Sequence, residues 1–594
     1  MHRFPSHLLK LVFVKKKNWL LSFVFLVLVV SLIKCTASQS QSTQVYSVEN
    51  FKLNKNTPSK GVSITSKGKL KALFIFVMFK DDTLTKSTGW EYNTKALPNW
   101  ATSIVNPSSD KRFPKTNLTH YFYEMSQGNF LLYGDVYPKI VIPDLAENKY
   151  KSIAQVNFEI LKKLDGEIDY SQYDNWKRTK NGKFVEGNDG TVDMIFLVYR
   201  NFSNKLFYNQ GWTGSAHFYL TKNIETNDGV TIKTGRLHNG SGIQQRAGKH
   251  GYEYSKYISA HEFAHFLFGG GHTRNISHLG LLNAGPVWNE SRGMHSWERE
   301  KLGWINYKDI LLDNNSSLTL DDYITTGDAA RIKLSKDEWF LIENHQKVSP
   351  HDWAKDKGIY IFRIKNATRF PPTITTQCAD GNWDFVIDKK NKKLIKTIPN
   401  RNGKNETNFS KRNGSTNFAC YEGVYEDNSV WGDEFDAFDL TYNNIFSPVS
   451  NPSSKNKANK DFVIEVKEKI GNKYLLDISF VDIYKNTPPA KPQIVGLENV
   501  KSKTPTLNWL PNEEPDLMGY SLTQISPSKK YLGDVKKSTN EFLIKSLVKN
   551  KNVENLISIT AKDLDENNSV SSNLIIIKWN NTKKEWNYSL LERN

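Results

Sequence analysis

Two histidines four residues apart, with a glutamate beside the first, are the residues in this chain best suited to chemistry: His261-Glu262-Phe263-Ala264-His265. On an α-helix, positions four apart share a face, so both imidazoles can turn toward one Zn2+. Glu262 lies one step round the helix, close enough to take a proton from a metal-activated water without being a ligand. Gly269-Gly270-Gly271 let the chain leave the helix and fold back, offering His272 as a third protein ligand. Three protein ligands and one open position describe a catalytic zinc site rather than a structural one. With 13 His in 594 residues, the two-histidine motif alone arises by chance in roughly one chain in a hundred. A helix could also carry two buried histidines for packing. The apolar flanks, Tyr257 to Ala260 and Phe263 to Leu267, suit a buried helix, where adjacent polar residues need a partner.

The elements that must position this helix are legible on either side of it. Leu70 to Phe79 is a strongly apolar strand candidate, central in a sheet. Asn117 to Phe130 reads as a helix running into a turn at Gly128-Asn129, and Leu131 to Ile142 alternates like strands. Phe158 to Leu164 is helical in pattern, and Val192 to Tyr199 is a second apolar strand. Strands alternating with helices predict an α/β catalytic domain with the site along the sheet edge. Beyond Trp304 short strands dominate, clearest at Phe340–Asn344 and Gly358–Ile364. Residues 370–460 are loop-rich and carry Cys378 and Cys420, which can pair in an exported protein. Asn486 to Pro492 reads as a linker.

At 594 residues the chain needs two or more domains. Residues 1–37 read as a signal peptide, with Lys15-Lys16-Lys17 before an apolar run from Trp19 to Ile33 and small residues at Cys35-Thr36-Ala37. A retained signal anchor is the alternative, and would be the chain's one membrane attachment. Removing six basic residues with the leader lowers the net charge from +18 to about +12. The excess is spread through Lys- and Asn-rich loops, so nothing points to nucleic acid. Localisation is expected to be secreted or at the extracellular surface. Sequons such as Asn117, Asn201, Asn239 and Asn275 follow from the asparagine content. Asp189 and Asp193, with Asp169 or Asp174, sit near a glycine turn at Gly190 and make a weaker candidate for Ca2+, lacking the full EF-hand spacing.

Several stretches, in order, resemble the immune inhibitor A family of secreted bacterial metallopeptidases. They are Lys71 to Asp82, Asn117 to Pro138 with its Tyr-Phe-x-x-x-Ser-x-Gly pattern, Asn188 to Asn201, the histidine helix, Ser296 to Ile305, and Phe340 to Trp353. The resemblance spans roughly residues 70 to 365 and implies an α/β (α+β) zincin-like fold. It implies a zinc endopeptidase acting on protein or peptide substrates. Glu262 would be its catalytic base, and His261, His265 and His272 its metal ligands. The sequence departs from the family at Phe268, where a glycine is usual, and its third histidine is one residue late for a metzincin. Tyr257, His278 and His295 are candidates for stabilising an oxyanion, each equally readable as an ordinary packing or surface residue. Met294 is a candidate for a methionine beneath the metal, with core packing the stronger reading.

Thr506 to Trp509, Glu514 to Leu522 and Ile557 to Asp563 resemble a fibronectin type III module, an accessory β-sandwich. The expected organisation is therefore a leader (1–37), a polar lead-in (38–69), a zinc metallopeptidase domain (70–365) and a β-rich, loop-rich extension (366–485). A fibronectin type III-like sandwich (489–578) and a C-terminal tail (579–594) follow. The competing reading is a non-enzymatic surface or extracellular binding protein, with the sandwich as its working part and the α/β domain a relic.

Overall fold

The computed structural model describes residues 45–46 and 58–591, apart from 93–94, 109–112, 115, 204, 209–213, 274–278, 283–291, 355, 382–384, 388–393, 397–434 and 486. The leader, Cys35, Cys420, His278 and the Asn275 sequon lie outside the described residues. Strand outweighs helix, 34% against 14%, so this is a β-rich chain built from several sheets. No described helix is long and apolar enough to cross a membrane.

The first sheet runs in the order Phe130–Val136, Gly68–Val77, Ile195–Tyr199, Gly242–Arg246, Gly214–Ser215. The first four strands are parallel, and Gly214–Ser215 closes the edge antiparallel to Gly242–Arg246. The apolar run beginning at Leu70 is paired on both sides, and its side chains alternate between two cores. Leu70, Ala72, Phe74 and Phe76 face the histidine helix and helix Leu118–Met125. Leu73, Ile75 and Val77 face helix Ile153–Leu164 on the opposite side. A sheet covered on both faces needs apolar residues at every position, which is why this strand does not read as alternating.

The histidine helix, Tyr252–Phe268, is buried from Tyr254 onward. Phe263 wedges it against its neighbours, with ring centroids 5.0 Å from Phe122 and 5.9 Å from Phe130. Gln245 ties the helix to the sheet, its Nε2 donating to the Ser255 carbonyl and to Ser259 Oγ.

A second sheet orders Lys308–Ile310, Ala329–Lys333, Glu338–His345, Gly358–Lys365 and Thr373–Gln377. It faces a third, made of Ser316–Leu320, Lys473–Ser479, Val463–Ile470 and Ile445–Phe446. Ile332, Phe340, Ile342 and Ile361 enter the core between these sheets. Leu341, Tyr360, Phe362 and Ile364 point the other way, into the core that holds the histidine helix. The expected edge of the first domain at residue 365 therefore falls between Gly358–Lys365 and Thr373–Gln377, paired strands of one sheet. Strand pairing over long sequence distances, as between Ser316–Leu320 and Lys473–Ser479, leaves no local signal for such a boundary.

The C-terminal module packs a three-stranded sheet (Gln493–Glu498, Thr506–Leu510, Glu541–Leu543) on a five-stranded one. Trp509 is buried in its core with Tyr520 edge-on at 5.2 Å. The segment expected to be a tail instead contains strand Glu585–Leu591, paired with Leu574–Asn580. Trp586 is buried there against Trp579, ring centroids 5.0 Å apart. Lys583, Lys584, Glu585 and Asn587 around it are polar or charged, so the strand is held by a single buried anchor rather than by an apolar run.

Candidate metal centre

The histidine helix ends where its carbonyls run out of helical partners. Gly269 adopts the left-handed conformation at its C-terminus, and the Gly269 and Gly270 amides both donate to the His265 carbonyl, at 2.8 and 3.0 Å. All three glycines have positive φ, at 81°, 102° and 80°. A Cβ on Gly269 would lie 2.7 Å from Val62 Cγ1, and one on Gly271 2.5 Å from Phe370 Cε1. The turn therefore needs glycine for backbone and space together, and it returns His272 to the face that carries His261 and His265.

One ligand atom from each of His261, His265 and His272 lies within 4.8 Å of the others. His261 Nε2 and His272 Nε2 are 3.2 Å apart. Two nitrogens bound tetrahedrally at zinc distances stand about 3.3 Å apart, so that pair is already spaced for one ion. His261 Nδ1–H donates to the Leu281 carbonyl at 2.8 Å, which leaves Nε2 as the lone-pair nitrogen facing His272. Burial, and then the neighbouring His272, push the His261 imidazole down to about 3. Burial and the adjacent His261 and His272 take His265 well below its ordinary value. Both rings are thus held neutral, the form that binds a metal.

Glu262 sits against the sheet edge. A Cβ on Gly214, in the antiparallel edge strand, would be 3.0 Å from Glu262 Oε1 and 2.5 Å from Ile258 Cγ2, so only glycine lets strand and helix approach this closely. Burial pushes the Glu262 carboxyl up to about 8, with the Ala216 amide opposing the shift.

Behind the three histidines stands Glu298, which sequence reasoning did not single out. Its carboxylate accepts from the Leu281, Leu282 and His295 amides at 3.1, 2.9 and 3.0 Å. Thr273 Oγ1 donates to it at 3.3 Å. Glu298 thereby holds the backbone whose carbonyl orients His261, and the residue next to His272. The one signal for it was its place three residues after a helix cap, where an acidic side chain turns back on the backbone.

Of the oxyanion candidates, Tyr257 is buried near His261, ring centroids 5.8 Å apart, with Arg292 over its face at 5.1 Å. His295 belongs to a different network: it caps helix Ser296–Lys301 and pairs with buried Glu343 at 3.6 Å. Met294 is fully buried in the main core, its amide 3.2 Å from Met125 Sδ. Arg236, from a short strand pair with His217–Phe218, adds a positive charge that bears on both His265 and His217. Three of the four acidic candidates for calcium accept from backbone: Asp193 from Asn175 and Trp176, Asp174 from Asp189 and Gly190, and Asp169 from Ser171. Cys378 is disulfide-bonded.

No family model matches this chain, and no curated protein matches it. Among solved structures, it is similar to the Clostridium perfringens spore cortex lytic enzyme SleM, with 23% identity over 21% of this chain and a TM-score of 0.14. That match spans 35% of the SleM chain, about a third of its length. A structure described as a myokine is 17% identical over 16% of this chain and 97% of its own, with a TM-score of 0.14. An Fn3-like protein from Clostridium thermocellum is 14% identical over 15% of this chain and 90% of its own, with a TM-score of 0.12.

Proposed function

We propose that this chain is a zinc-dependent endopeptidase of the immune inhibitor A type, exported from the cell and carrying a fibronectin type III-like accessory module. The observation that carries the reading is the convergence of His261, His265 and His272 beside the buried carboxyl of Glu262. Three imidazole nitrogens suit Zn2+ better than Ca2+ or Mg2+, which prefer oxygen donors. A divalent ion held by these nitrogens would supply a Lewis acid and a water of lowered pKa.

Every other part belongs to the chain. Glu262, which burial alone pushes up to about 8, would favour its ionised form with a divalent cation held by the neighbouring imidazoles. As a carboxylate it takes a proton from the attacking water, and it then returns that proton to the departing amide nitrogen. The Leu281 carbonyl keeps His261 in the ligating tautomer. Arg236 offers positive charge for the oxyanion that develops on the substrate carbonyl. A relic binding scaffold would gain nothing from keeping such a carboxyl buried next to three imidazoles.

Glu262→Gln keeps the size of the side chain and removes the base. The variant is expected to bind zinc and melt like the parent, while casein hydrolysis falls by at least about 100-fold. Cleavage by the variant at the parent rate would overturn the proposal.

A further inference from the structure

A second cluster of metal-binding groups lies elsewhere in the same core and shares no residue with the first. His120 and Glu124 are four apart on helix Leu118–Met125, so they present side by side. His351 joins them from the loop between strands Glu338–His345 and Gly358–Lys365, 231 residues along the chain from His120. One ligand atom from each lies within 4.8 Å of the others. His120 Nδ1 lies 3.4 Å from His351 Nε2, and the other ring nitrogen, Nε2, lies 4.0 Å from Glu124 Oε1, so an ion would take one of the two and leave the other outside its shell. All three residues are buried, with exposures of 0%, 7% and 1%.

We propose that His120, Glu124 and His351 form a second, structural binding site for a divalent transition metal, Zn2+ by donor type. Two imidazole nitrogens and one carboxylate oxygen are a donor set that zinc accepts and that calcium or magnesium does not favour. The buried Arg299 guanidinium already bears on Glu124 from the same core, and a cation at this cluster would meet the carboxylate and an imidazole nitrogen from each histidine at once. The surroundings are built to hold these groups still. The Ser349 hydroxyl bonds Glu124 Oε2, the Gly293 amide donates to the His351 carbonyl at 2.7 Å, and Tyr121 lies edge-on to the His351 ring at 4.8 Å. A carboxylate whose second oxygen is held by a hydroxyl is the outer-shell arrangement that orients a ligand. An ion here would staple helix Leu118–Met125 to the loop that joins strands Glu338–His345 and Gly358–Lys365, contributing folding energy rather than chemistry.

The test is zinc per folded chain, measured by plasma mass spectrometry on full-length protein expressed with zinc in the medium, because groups this buried load as the chain folds. The parent is expected to hold two equivalents. A His261→Ala/His265→Ala double variant should hold one, and His351→Gln and Glu124→Gln should each hold one while remaining folded by circular dichroism. If His351→Gln does not fold, the near-isosteric Glu124→Gln and the double variant still decide. A double variant that holds no zinc overturns the proposal, as does an unchanged zinc content in folded Glu124→Gln. A parent with one equivalent that survives in the double variant supports this site and removes the metal from the histidine triad, so the two proposals fail separately.

Discussion

Gly271→Ala tests whether the glycine turn is what delivers His272. The residue sits at φ 80°, where an L side chain costs about 1–2 kcal/mol relative to glycine. Its new Cβ would also come 2.5 Å from Phe370 Cε1 and 3.2 Å from Cδ1. Phe370 cannot swing away freely, because its ring stacks on Phe268 at 5.7 Å and on Trp297 at 6.1 Å. Overpacking of this kind costs about 1–3 kcal/mol, so the turn as it stands is destabilised by roughly 2–5 kcal/mol. The chain relieves that strain by moving the turn, and His272 moves with it. Two to five kcal/mol taken from the metal-bound conformation weakens zinc by about 30- to several-thousand-fold, at 1.4 kcal/mol per tenfold. Gly270→Ala is the control: it too has positive φ, but its Cβ would meet nothing closer than 3.5 Å, so only the backbone cost applies. Zinc affinity by chelator competition, with thermal melting in parallel, should rank parent, Gly270→Ala and Gly271→Ala in that order. Equal affinity and equal melting for parent and Gly271→Ala would refute the role given to the turn.

Glu298→Gln turns one of the two oxygens that accept from three backbone amides into a donor, and zinc affinity should fall about 10- to 100-fold with Glu262 untouched; unchanged affinity by the same titration would separate Glu298 from the site. His345 is clamped between Asp352 at 2.8 Å and Glu343 at 3.3 Å, and these carboxylates raise it to about 10 against the opposing effect of burial. Its contribution to stability is full below the unfolded value near 6.5 and is lost as pH climbs through about 10. The stability gap between parent and His345→Gln in urea titrations should accordingly narrow from pH 6.5 to pH 10, and a gap that widens would show the sign to be wrong. Trp586→Ala removes a side chain only 2% exposed whose indole also donates to the Ser502 carbonyl at 3.0 Å. It should cost the C-terminal module about 3–5 kcal/mol, read as a shift in its unfolding midpoint.

Local patterns were enough to draw much of this chain. The His-Glu-x-x-His spacing places two imidazoles on one helical face by geometry alone, and the three glycines mark a turn because positive φ is a property of single residues. The apolar run from Leu70 is likewise readable because it is continuous, and the helix after Asn117 and the strands around Trp509 because each buries one face through its own periodicity. What only tertiary structure decided depends on residues far apart in sequence. The edge strand at Gly214 touches Glu262, Glu298 reaches back to the backbone at Leu281, and His351 crosses to His120, none with a repeating local signal. The sheet that spans residue 365 and the strand that ends the chain were hidden for the same reason. Periodicity reports which face of an element is apolar, whereas the partner of that face is chosen by packing of the whole chain.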